Sequence, residues 1–267
     1  MARIARLNNL PEPEKKSIYR LLIPEKIFSL FEIDPQTGLN RSGEMSVSCE
    51  CPAGASEATV EVKAHPDDLD PIFYIEVGDS HDLLQLLWYF VMVNDVRVPR
   101  INTDLTPSGR SRWLFWDERN IAEETRAVQA GLAPGQARPG LRLTDEVNQS
   151  LDRFCKTLGI VSIYMEALFY HTAIAFERNG FRYFKGEKLM RLIDREFETG
   201  RRLYNMLDDA NPFRQKSFFN TVRGRSWAIH DGVLDELEGP EFMEWIPPKM
   251  YRMVGVYHQV NTCSLCY

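Results

Sequence analysis

The chain has 267 residues with 32 Lys or Arg against 38 Asp or Glu, a formal charge of −6, so it lacks the overall cationic field that would neutralise a phosphate backbone. Hydrophobic residues make up 44% and aromatic residues 11%, which fits a folded protein with a sizeable core and excludes a disordered, collagen-like or low-complexity chain. The longest apolar run, Leu83 to Val93, is interrupted by Gln85 and falls well short of the roughly 20 residues a membrane-spanning helix needs. Neither nucleic acid nor a membrane is therefore an expected partner. Two N-terminal arginines lead into a polar stretch around Pro11 and Pro13 without the apolar core of a secretion signal, and five cysteines are too few and too scattered for a disulfide framework. A cytoplasmic protein with reduced thiols is expected.

In chain order, Ser17 to Phe31 carries apolar residues at three- and four-residue spacings broken by Pro24, which predicts two short helices. Glu44 to Glu50 and Ala58 to Lys63 alternate apolar with polar residues around the turn-rich segment 51–56 and predict a hairpin. Ile72 to Val77 is rich in β-branched and aromatic residues and predicts a third strand. The run from His81 to Val93 opens like a helix and closes like a strand, and periodicity cannot arbitrate where nearly every position is apolar. A helix is predicted from an Asp117 cap to Leu132, and a second from a Thr144 cap to Leu158 with a stop at Gly159. A strand from Ile160 to Glu166, a helix from Tyr170 to Asn179 ending at Gly180, an extended piece 181–184 and a helix around Leu189 to Phe197 complete the regular part. Beyond Gly200 the chain reads as irregular, and Arg223 to Gly232 reads as a loop turning at Gly224 and Gly232, with His230 and Asp231 on opposite sides of an extended backbone.

These elements predict an α/β (α+β) fold, a mixed and mostly antiparallel sheet flanked by helices. The expected segments are an N-terminal helical piece 1–43, a core 44–184 and a C-terminal helical and irregular extension 185–267. The stretch Arg182 to Arg225 carries 11 Lys or Arg against 6 Asp or Glu. A solvated surface is the first expectation for it; an acidic substrate, an acidic protein partner or the chain's own acidic half would also complement it, and homodimer formation is left open.

The stretch richest in chemistry runs from Leu132 to Phe184. The loop Leu132-Ala-Pro-Gly-Gln-Ala-Arg-Pro-Gly-Leu141, the helix ending Lys156-Thr-Leu-Gly159, the strand Ser162-Ile-Tyr-Met-Glu166 and the phrase Ala173-Ile-Ala-Phe-Glu-Arg-Asn-Gly-Phe181 follow one another in that order. Together they resemble the coenzyme-A-binding half of the GNAT superfamily of N-acetyltransferases. The resemblance implies acetyl-CoA or another acyl-CoA as cosubstrate and an amine on a small molecule or peptide as acceptor. It implies a diphosphate cradle formed by Gly135, Gln136, Ala137, Arg138, Gly140 and Leu141, in which Pro139 has no N–H to give. The family's acidic tyrosine falls on Phe176, so Tyr170 or His171 would return the proton to the thiolate, and Glu166 would serve as base.

The residues themselves give that arrangement a physical logic. Orphan N–H groups and the positive dipole end at a helix N-terminus attract a diphosphate, and Arg138 or Arg142 would add a bidentate contact. An acyl thioester between splayed parallel strands would present its carbonyl to an amine and be polarised by a backbone N–H. Two further readings stand beside this one. A protein of the same fold without catalysis would serve as a binding or assembly module, as Pro139, Leu141 and Phe176 favour. Cys49 and Cys51 with Cys263 and Cys266 would form a thiol-ligated metal site if the two pairs met, although unligated thiols are the first expectation and no metal ligand is assigned. No nucleophile elbow, phosphate-binding Walker loop, zinc helix or calcium loop is present in the sequence.

Overall fold

The computed structural model describes residues 3–81, 85–111, 118–237 and 244–265. The fold is mixed α/β, with strands β1 (Val47–Glu50), β2 (Glu57–Val62), β3 (Phe73–Asp79), β4 (Gln85–Val93), β5 (Ser162–Glu166), β6 (Arg182–Lys185) and β7 (Lys249–Met253). The helices among the described residues are α1 (Ile4–Leu7), α2 (Glu12–Tyr19), α3 (Glu25–Leu30), α4 (Ile121–Gln129) and α5 (Thr144–Leu158). They continue with α6 (Tyr170–Arg178), α7 (Glu187–Glu196), α8 (Arg202–Asn205) and α9 (Val222–His230). The strands form one seven-stranded sheet in the order β1-β2-β3-β4-β5-β7-β6. The first four pair antiparallel in succession, and β4 pairs parallel with β5. The expected fold class is thus the observed one.

The chain divides into two compact units. The first comprises Met1–Val98, Gly140–Glu166 and Tyr251–His258, and the second comprises Pro99–Pro139, Ala167–Met250 and Gln259–Tyr267.

In the first unit the hairpin forms as the alternation predicts. Ala58, Val60 and Val62 of β2 are buried while Glu57 between turn and strand is exposed, because successive side chains leave opposite faces of a pleated strand. The ambiguous run resolves as a strand from Gln85 onward, and residues 82–84 of it lie outside the described residues. Its Trp, Tyr, Phe and Val side chains favour a pleated surface, and its backbone is paired by a ladder to β3 and, over Gln85 to Trp88, by a second ladder to β5. Helix α5 runs over the residues expected, but the capping position is held by Leu143, not Thr144: the Val147 N–H donates to the Leu143 carbonyl at 2.9 Å. Leu143 is buried, which draws the helix start one residue back and places Thr144 in the first turn. Gly159 at φ 64° closes α5 in the left-handed conformation that glycine adopts without strain. Tyr19 of α2 stacks on Phe154 of α5 with ring centroids 5.8 Å apart. The Asp79 carboxylate at the end of β3 accepts hydrogen bonds from the backbone N–H groups of Arg3, Ile4 and Ala5, which fixes the start of α1.

In the second unit α4 is capped by the Asn120 side chain, which accepts from the Glu123 N–H; the expected cap, Asp117, lies outside the described residues. The segment read as a loop from Arg223 is instead helix α9, with Gly224 inside it and Thr221 as its cap. The glycine is required by packing: a Cβ on Gly224 would stand 2.6 Å from Cα of Phe218. Trp227 of α9 is buried with Ile101, Ala127, Leu132 and Phe213, and its indole N–H donates to the Leu132 carbonyl at 2.8 Å. Strand β7 likewise lies in a stretch the sequence reads as irregular.

Candidate functional site

The central feature of the first unit is the junction of β4 with β5. On its β3 side, β4 pairs Phe90 with Glu76 and Trp88 with Val77, so Tyr89 is an extra residue with no opposite number, a β-bulge. On its other side the parallel ladder runs from Gln85 with Ser162 to Trp88 with Met165 and ends there, one residue before the bulge. β4 itself continues to Val93 and keeps its register with β3 to the end. A bulge sharpens the local twist and re-aims the strand. The Tyr89 side chain is turned onto Gly78, where a Cβ would stand 2.7 Å from the ring.

The loop before α5 returns to the far end of the same strand. A Cβ on Gly140 would lie 3.3 Å from the Val93 carbonyl oxygen, so glycine permits a close backbone approach there. Two residues later Arg142 is exposed and sits at φ 58°, a left-handed conformation that costs a non-glycine residue about 1–2 kcal/mol. Leu143 and the 15-residue helix α5 follow, and no side chain caps the helix start. The first turn carries Asp145 and Glu146, and Glu146 pairs with Lys26 at 2.9 Å, which lowers its pKa. These carboxylates already oppose part of the helix dipole.

The strand that leads to this loop was not legible in the sequence. Directly before Leu132 stands α4, as the periodicity predicts, and the strand that meets Gly140 is β4, which ends 47 residues earlier at Val93. Of the intervening residues, Pro99–Pro139 belong to the second unit.

The six residues expected to cradle a diphosphate fall on both sides of the boundary between the units. Gly140 and Leu141 belong to the first unit, while Gly135, Gln136, Ala137 and Arg138 belong to the second. Gln136 is committed locally: its Oε1 accepts from the Ala133 N–H at 2.8 Å, its own N–H donates to the Ala133 carbonyl, and its carbonyl accepts from the Thr103 hydroxyl. The Ala137 carbonyl accepts from the Ile101 N–H at 2.9 Å. Gly135, at φ 79°, makes the turn under the ring of Phe169, 2.8 Å from where a Cβ would be.

Of the expected acid–base residues, Glu166 is exposed at the end of β5 in the first unit. Tyr170 and His171 open α6 in the second unit, and both are buried, at 1% and 7% exposure. Burial pushes the Tyr170 hydroxyl well above its ordinary pKa, although the neighbouring Arg225 guanidinium opposes the shift. The hydroxyl makes no hydrogen bond of good geometry among the described residues. His171 Nδ1 lies 2.9 Å from the Ser226 hydroxyl, and its ring stacks on Phe169 at 5.6 Å. Burial, reinforced by Arg223 and His230, pushes its pKa down to about 3, so the imidazole is neutral at neutral pH.

The residues at the end of α9 are held in an ion-pair network of the second unit. Asp231 accepts from Arg119, Arg214 and Asn211, while Arg119 also forks onto the buried Glu124 at 2.6 and 2.9 Å. Burial raises the Glu124 pKa, but His230 and Arg119 outweigh it and bring the value to about 2. Cys51 and Cys263 are buried and Cys49 is half-buried; the first pair and Cys263 belong to different units, and Cys266 lies outside the described residues. Among the described residues no group of three or more His, Cys, Asp or Glu side chains is arranged to hold a metal ion. No helix of the described residues is long and apolar enough to cross a membrane.

Comparison with protein-family models, with curated proteins and with solved structures finds no match to this chain.

Proposed function

We propose that this chain binds an acyl-coenzyme A where β4 and β5 part and transfers the acyl group to an amine of a small molecule or peptide. The observation that carries the reading is the coincidence of three features in the first unit: the bulge at Tyr89, the end of the parallel ladder at Trp88 and Met165, and the approach of Gly140 to Val93. A pantetheine arm lies along β4 beyond the end of the ladder, its carbonyl polarised by a backbone N–H of β4, and the diphosphate sits at Gly140 to Thr144 with Arg142 as its charged contact. The amine nitrogen forms a bond to the carbonyl carbon as the carbon–sulfur bond breaks; the amine gives up a proton to water or to Glu166, and the thiolate takes one from solvent. A thiol of ordinary pKa near ~8.5 leaves as thiolate without obligatory help, so the burial of Tyr170 and His171 does not block the step.

That same burial favours a second reading, in which the site holds the cosubstrate but transfers nothing and the protein acts as a binding or assembly module. The test is a thermal-shift titration with acetyl-CoA followed by a thiol-release assay with a panel of primary amines. At about 100 times the dissociation constant the ligand adds ~2.7 kcal/mol of stability. Stabilisation with amine-dependent thiol release supports the transferase; stabilisation without release supports the module; no stabilisation overturns both.

A further inference from the structure

We propose that the open depression between α7 and α8 in the second unit is a binding site for a dianionic phosphoryl group of a small phosphomonoester. The depression measures about 490 Å³ and is lined by Arg195, Glu196, Gly200, Arg201, Arg202 and Asn205. All six residues lie in one unit, so the inference stands apart from the acyl-transfer reading.

The lining holds three arginines and one carboxylate. The carboxylate is Glu196, whose side chain is 5% exposed, and it accepts from the Nε of Arg195 at 3.2 Å and from the Nε of Arg202 at 3.1 Å. A buried acid held between two half-exposed arginines orients both planes, so less side-chain freedom is lost when an anion binds. Arg201 is exposed and makes no side-chain hydrogen bond or ion pair among the described residues. It therefore gains a charge partner when an anion arrives. In the turn before it, Gly200 is at φ 84°, and the Asn205 amide donates to the Gly200 carbonyl at 3.1 Å.

The charge and the size select the ligand. A dianion with three oxygens matches forked N–H donors approaching from several sides. The volume lies within the range of small-molecule sites, and the chain's net charge of −6 opposes a long polyanion.

The test is a titration of the full chain with inorganic phosphate, and separately with free phosphoserine, at constant ionic strength, followed by nuclear magnetic resonance of the arginine Nε–H groups and backbone amides. Saturable shifts at Arg195, Arg201 and Arg202, weakened at least tenfold in Arg201→Ala, are expected; that exposed position carries no side-chain contact whose loss would unfold the chain. Shifts reproduced by equimolar chloride, shifts that do not saturate, or equal affinity in Arg201→Ala would overturn the proposal. Binding of free phosphate without phosphoserine would overturn the assignment to a phosphomonoester.

Discussion

Asp152 of α5 and Arg252 of β7 form a two-pronged ion pair inside the first unit, with Arg252 Nη1 and Nη2 donating to the two carboxylate oxygens at 3.0 and 2.9 Å. Arg252 is fully buried, Tyr257 lays its ring 4.6 Å from the guanidinium, and the Tyr257 hydroxyl donates to the same carboxylate at 3.1 Å. Removing one partner strands the other charge. Asp152→Ala is expected to cost about 3–5 kcal/mol in urea denaturation, whereas the apolar double variant Asp152→Leu with Arg252→Met recovers most of the loss. Equal stability of Asp152→Ala and the parent would contradict the role assigned to the pair.

Glu177 sits in the middle of the Ala-Phe-Glu-Arg-Asn-Gly-Phe phrase and is buried. Its carboxylate accepts from the Thr262 N–H at 2.8 Å, the Thr262 hydroxyl at 2.6 Å and the Tyr183 hydroxyl at 2.7 Å. It thus ties the segment after His258 to α6 within the second unit. Glu177→Ala leaves those donors unsatisfied, at about 1–3 kcal/mol for a buried group. Hydrogen exchange at the Thr262 amide is expected to accelerate in this variant while α9 stays protected; unchanged exchange at Thr262 would refute the tie.

His171 supplies a pH prediction with a definite sign. Its pKa is near 6.5 when unfolded and about 3 in the folded chain, so the unfolded state binds the extra proton. The stability it contributes is complete above pH 6.5 and is lost as pH falls from 6.5 toward 3. Glu124 adds its own loss only from about pH 4.5 down to 2, so the window from pH 6.5 to 4.5 reports mainly on the histidine. His171→Gln is expected to flatten the unfolding free energy across that window. An unchanged slope would mean that the imidazole is hydrated in the folded chain.

At Gly224 two effects oppose each other. Alanine is the better helix former by about 1 kcal/mol, yet its Cβ would meet the backbone of Phe218 at 2.6 Å. Overpacking against backbone costs roughly 1–3 kcal/mol, so Gly224→Ala is expected to lower the urea midpoint. A rise in the midpoint would show that Phe218 yields.

Arg142 couples conformation to the proposed ligand. Arg142→Gly relieves the left-handed backbone and is expected to change stability by under about 1 kcal/mol, because glycine also loosens the unfolded chain. The same change removes the charged contact and is expected to weaken acetyl-CoA binding about tenfold in calorimetry. Retained affinity would remove Arg142 from the site.

The sequence by itself determined the local pieces. The alternation in β1 and β2, the β-branched and aromatic content of β3, the apolar spacing of α5 with Gly159 behind it, and the step from α6 through Gly180 to β6 are written within windows of a few residues, where side-chain period and glycine freedom act directly. The close approach that requires a glycine inside α9 was not legible, because a lone glycine reads as a turn until the Phe218 backbone lies against it. Only tertiary structure placed β7 between β5 and β6, settled β4 as a strand, put a bulge at Tyr89, and brought Gly140 to Val93 across 46 intervening residues. Those outcomes depend on pairings between distant segments whose backbone hydrogen bonds and buried faces are satisfied only by each other, and no local period encodes the partner.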